Sequence, residues 1–103
     1  MMLPHIIRFN ASDEKARLAY AQLASAPEIA CVSDGLDQAV DALVHEIERL
    51  LVLAKMPTRL RECGVESGKL PMLAAEAAKQ WTANFNPRPI TETDFLTIYE
   101  TAF

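Results

Sequence analysis

From residue 36 onward the apolar side chains fall at Leu36, Val40, Leu43, Val44, Ile47, Leu50 and Leu51. That spacing makes a stripe wide enough to cover one face of a long helix. Strand-like alternation of apolar and polar residues is almost missing from the chain. A chain whose longest patterned segment is such a helix must bury the stripe against other helices, so the expected fold is all-α. Asp37, Asp41, Glu48 and Arg49 lie largely off the stripe, and the two aspartates near its start suit the positive end of the helix dipole. Ser33 or Asp34 can open this helix, and Met56-Pro57 stops it at about Lys55.

Prolines and capping residues divide the remainder into shorter helices. The apolar run 3–9 tolerates Pro4 in a first turn. Ser12 or Asp13 can cap a second helix reaching about Ala24, with Ala16, Ala19, Tyr20 and Leu23 on one face. Pro27 ends it, and Ile29, Cys31 and Val32 form a connector with side chains tucked under neighbours. Residues 58–63 read as one helical turn closed by Gly64. A helix over 70–81 follows, with Pro71 in its first turn and Ala74, Ala75, Ala77 and Ala78 permitting close packing. Pro87 and Pro89 forbid helix through 84–89. Thr91, with Asp94 three residues on, caps a last helix running to Phe103. The expectation is one domain over 1–103, an all-α bundle of about five helices.

A chain of 103 residues buries roughly 65% of the surface it exposes when unfolded, enough for a modest core. Ten Lys plus Arg against fourteen acids give a net charge of −4 with no basic stripe, which argues against nucleic acid and anionic membrane surfaces as partners. The longest apolar stretch, 50–54, is far short of the roughly 20 residues of a membrane span. The N-terminal residues lack the basic start of a signal peptide. Cys31 and Cys63 have no C-x-x-C spacing and read as buried or half-buried thiols, so a reducing cytoplasm is the expected location.

Few motifs carry chemistry. Asp41 and His45 stand four apart on the long helix, where a carboxylate and an imidazole share a face and can hold a metal. Glu48 and the distant His5 are the remaining donors, and a solvated helix face is the favoured reading. His45-Glu46 opens like H-E-x-x-H, but Arg49 stands where the second histidine belongs. Gly35, Gly64 and Gly68 form no phosphate-cradling loop. Trp81, Phe85, Phe95 and Tyr99 gather around the C-terminal loop, where core packing is the favoured role and a partner or ligand surface the alternative. Arg88, held between two prolines, reads first as a clamp on helix ends. Trp81, Phe85 and Arg88 are the candidate interaction surface.

Three blocks also carry a resemblance. They are Leu3-Pro4-His5-Ile6-Ile7-Arg8-Phe9-Asn10, Met56-Pro57-Thr58-Arg59-Leu60-Arg61-Glu62-Cys63-Gly64-Val65, and Asn86-Pro87-Arg88-Pro89-Ile90-Thr91-Glu92-Thr93-Asp94. In order and spacing they resemble the C-terminal helical region of the iron-containing (group III) alcohol dehydrogenases, over essentially the whole chain. The resemblance implies a much larger two-domain enzyme, with NAD(P) on an α/β domain and iron or zinc on the helical one. In that family the metal is held by an aspartate, a histidine four residues later and two further histidines. The last of these lies just upstream of the L-P-H block, before Met1, so no family ligand maps onto this chain. His5 matches a histidine that is not a ligand, and Asp41 and His45 fall in a helix that bears none. Thr82 stands where many members carry a cysteine near the substrate.

The resemblance therefore implies a stand-alone helical domain with no dehydrogenase activity alone and no NAD(P) or metal of its own. It is expected to act as a self-associating or protein-interaction module, its open face covered by a copy of itself or by another protein. The alternative is one part of a split NAD(P)-dependent, metal-dependent alcohol dehydrogenase, completed by a separate nucleotide-binding chain.

Overall fold

A computed structural model of the chain describes residues 1–26 and 35–103, and every regular element among them is helical. The expected connector at Ile29, Cys31 and Val32, and the expected cap at Ser33 or Asp34, lie outside the described residues. Helix α1 (Leu3–Asn10) carries Pro4 in its first turn, where a missing N–H breaks no helical bond. Helix α2 (Glu14–Ser25) is capped by Asp13, whose Oδ1 accepts the Ala16 N–H at 2.9 Å. Helix α3 (Leu36–Leu53) starts after Gly35, which takes φ 115°. At its far end Lys55 adopts φ 54°, so the Lys55 and Met56 N–H groups reach back to the Val52 and Leu51 carbonyls.

A 3-10 turn over Leu60–Cys63 closes on Gly64 at φ 79°, as the sequence leads one to expect. A second turn, Ser67–Lys69, runs into helix α4 (Leu70–Ala78). The helix expected over 70–81 is thus shorter. The Lys79 and Gln80 N–H groups bond three residues back instead of four, Gln80 turns extended, and a separate 3-10 turn, Trp81–Phe85, takes over. Helix α5 (Glu92–Ala102) opens with a reciprocal box. The Thr91 Oγ1 accepts the Asp94 N–H at 3.3 Å, and the Asp94 carboxylate accepts the Thr91 N–H at 2.9 Å.

Among the described residues two clusters form the core, with α1 packed against both α3 and α5. The larger joins Ile7 of α1, Ala21 and Ala24 of α2, and Ala39, Val40, Leu43 and Val44 of α3. Alanines on both sides let α2 and α3 approach closely. This corrects the expected α2 face: Ala19 and Leu23 are exposed, because the smaller side chains, and not the leucine, meet α3. The α3 stripe holds through Val44 and Ile47, but Leu50 is exposed along with Val52 and Leu53. The smaller cluster centres on Leu60, Leu70 and Ala102, with Met1, Met2 and Tyr99 packed around it. Cys63 is a free, exposed thiol, contrary to the buried reading. No helix among the described residues is long and apolar enough to cross a membrane.

Candidate functional site

Where α1, α2, α4 and α5 converge beneath the C-terminal loop, they leave a cleft of about 490 Å³. Ile6, Ala77, Ala83, Pro87, Ile90 and Phe95 give it apolar walls, with Phe85 at the edge. Its polar lining is Asn10, Tyr20, Gln80, Thr82 and Asn86, and among the described residues no charged side chain lines it. Both the size and the mixture are those of a small-ligand pocket.

The back wall is a hydrogen-bonded amide pair. Asn10, at the C-terminal end of α1, is only 1% exposed. Its Nδ2 donates to Asn86 Oδ1 at 2.9 Å and to the Tyr20 hydroxyl at 3.1 Å, while Asn86 Nδ2 donates to Asn10 Oδ1 at 2.7 Å. Asn86 Nδ2 also donates to the Arg88 carbonyl at 2.6 Å. Arg88 then closes the circuit: its Nη1 donates to the Phe9 carbonyl at 3.0 Å, and its guanidinium lies 3.8 Å from the centre of the Phe9 ring. An α-helix leaves its last carbonyls without partners, and Arg88 serves one of them here. Of the candidate surface residues, Arg88 is thus turned inward as the clamp on a helix end.

Trp81 and Phe85 behave differently. Their rings meet edge to face at 5.4 Å and stand 70% and 74% exposed, so the core-packing reading is overturned for both. Phe95 and Tyr99, half-buried on α5, form a separate stacked pair at 6.3 Å. The four aromatics form two ring pairs, and one member of each, Phe85 and Phe95, lines the cleft.

The polar candidates elsewhere stay apart. His45 Nδ1 donates to the Asp41 backbone carbonyl at 2.8 Å, an in-helix bond that leaves the Asp41 carboxylate out. Glu48 pairs with Arg8 at 2.9 Å. His5 lies half-buried beside a second hollow of about 270 Å³ that Glu48 and Arg59 also line. Burial, then the Arg8 charge, push its imidazole below the ordinary 6.5, with Glu48 opposing. Among the described residues no three His, Cys, Asp or Glu side chains converge, so this donor set does not fit a metal. A Cβ added at Gly35, Gly64 or Gly68 meets nothing of the protein within 4 Å.

Asn10 and Asn86 are the site residues that periodicity does not single out, whereas it places Tyr20 on the α2 face without its role at the site. One signal was available: Asn10 closes the first resemblance block and Asn86 opens the third, and in space the two blocks meet through these side chains. These features define a small helical domain with an amide-backed cleft beside its C-terminal loop. The chain belongs to the Fe-containing alcohol dehydrogenase family, whose C-terminal region matches residues 1–103. It is 33% identical over 107 residues to 1,3-propanediol dehydrogenase of Citrobacter freundii and 29% identical over 103 residues to lactaldehyde reductase of Escherichia coli (strain K12). Both alignments take in 100% of this chain and 26% of the relative, so the chain spans about a quarter of the length of the relatives it matches. A crystal structure of 1,3-propanediol oxidoreductase matches 99% of the chain and 26% of its own, with a TM-score of 0.87 at 27% identity.

Proposed function

We propose that these 103 residues form a docking module of the iron-type alcohol dehydrogenase family, inactive in hydride transfer alone, with a Trp81–Phe85 edge that is covered by protein. The observation carrying this reading is the exposure of those two rings, 70% and 74%, on a domain that buries small alanines instead. Exposed aromatics beside an apolar cleft are the composition of a binding hot spot. Hydride transfer needs a nicotinamide set against a polarised oxygen, and the reading is supported by the scattered donors: among the described residues no three His, Cys, Asp or Glu side chains gather. A second copy is the simplest occupant. Absolute mass by light scattering on a sizing column is expected to show a discrete oligomer that a Trp81→Ser, Phe85→Ser double variant dissolves. NAD(P)-dependent, metal-dependent alcohol oxidation by the purified chain alone overturns the reading.

A second reading rests on the uncharged cleft: the chain is one wall of a split dehydrogenase whose nucleotide and metal come with another polypeptide. A wild-type monomer in the mass measurement favours it. Its test is turnover of lactaldehyde or 1,3-propanediol, the compounds in the relatives' names, after mixing with a nucleotide-binding chain.

A further inference from the structure

We propose that the C-terminal end of α3 is an apolar tip that seats in an anionic lipid surface, held there by the cations that follow it in the chain. The stripe that α3 buries runs through Val40, Leu43, Val44 and Ile47. At 3.6 residues per turn, Val52 and Leu53 point roughly 130° to either side of the middle of that stripe, away from the core. They stand 66% and 69% exposed, and Leu50 and Met56 are exposed close to them in sequence. Four large apolar side chains within seven residues thus remain in water, on a domain that buries alanines elsewhere. A single exposed leucine calls for no explanation, whereas a group of this kind marks a contact surface.

Charge decides what covers the tip. The acids near it in the chain are already engaged. Glu46 pairs with Arg49 at 2.7 Å and Glu48 with Arg8 at 2.9 Å, and the Glu62 carboxylate accepts the Thr58 and Arg59 N–H groups at 2.7 and 3.2 Å. Lys55, Arg59 and Arg61 enter no ion pair among the described residues. Arg59 lines the second hollow together with Leu51 and Val52, so one of these cations lies beside the tip in space. The net charge of −4 argues against an anionic surface for the chain as a whole, but it conceals this local surplus. Apolar side chains that protrude beside lysine and arginine have the composition of an interfacial anchor, with the apolar groups in the headgroup boundary and the cations on anionic lipid. A peptide partner instead needs a groove or a sheet edge, and Val52 and Leu53 diverge on the convex side of a helix end. This inference makes no use of Trp81 or Phe85 and stands apart from the docking reading.

The test is co-sedimentation of the chain with phosphatidylcholine vesicles prepared with and without phosphatidylserine. Binding is expected on the phosphatidylserine vesicles, at least tenfold weaker on phosphatidylcholine alone, and weakened by high salt. Val52→Gln combined with Leu53→Gln keeps the charge and the helix, and is expected to weaken binding at least tenfold with unchanged far-UV circular dichroism. Lys55 takes φ 54°, so Lys55→Gly preserves the turn while removing the charge, and about a fivefold loss is expected. The Trp81→Ser, Phe85→Ser double variant is expected to bind vesicles as the wild type does. No binding to phosphatidylserine vesicles, binding indifferent to the glutamine pair, or binding lost in the Trp81, Phe85 variant overturns the proposal. A glutamine pair that changes the solution mass of a chain that ignores vesicles also overturns it, and assigns the tip to a contact between copies.

Discussion

Residues 81–85 and 86–88 adjoin in the chain, yet they solve opposite problems. The second stretch is polar and drawn inward: Asn86 and Arg88 are half-buried, and their donors reach Asn10, the Arg88 carbonyl and the Phe9 carbonyl. The first is aromatic and faces water. Hydrophobicity alone orders them the other way round. The difference teaches that geometry here is set by satisfying buried amides, which tolerate only one arrangement of partners. Apolar packing is undemanding by comparison, and it leaves the rings available.

The sharpest way to break this contrast is Asn10→Ala. It strands Asn86 of one donor and one acceptor partner inside the domain, and urea unfolding is expected to show a loss of about 3 kcal/mol. Combining it with Asn86→Ala closes a double-mutant cycle, whose coupling energy is expected to exceed about 1 kcal/mol. Arg88→Lys probes the clamp: a lysine keeps the charge but loses the planar stack on Phe9, and about 1–1.5 kcal/mol is the expected loss in the same measurement. Thr91→Ala, just past the loop, removes the Oγ1 acceptor of the α5 box and is expected to cost about 1 kcal/mol. The smallest effect belongs to the aromatic half. Phe85→Ser is expected to move stability by no more than about 0.5 kcal/mol while changing the solution mass. A large loss of stability from Phe85→Ser, or none from Asn10→Ala, reverses the comparison.

Local rules made much of the fold legible. Pro4, Asp13, Gly64 and the Thr91–Asp94 pair mark element ends by chemistry within a few residues, and the structure uses each of them. The α3 stripe needed only periodicity. The face of α2 was harder, because a helix with alanines on several sides offers no contrast between inside and outside, and α3 decides which of them it meets. The last turn of α3 is apolar for reasons the core does not supply. At the site, Arg88 was readable as a clamp because its flanking prolines leave it few directions. Asn10 was not, since an asparagine at a helix end looks like an ordinary terminator until its partner is known to lie 76 residues away.

That separation bears on how the protein is made. A chain emerging from the ribosome at ~5–20 residues per second releases Asn86 roughly 4–15 s after Asn10. The α1–α3 cluster lies wholly within the first 44 residues and can collapse before then. Through that interval Tyr20, ten residues on, can occupy the waiting amide, and water must serve the rest of it. Helix α1 is therefore finished by a segment made 76 residues later, and translation that stops short of Asn86 leaves this domain with an unfilled polar notch in its side.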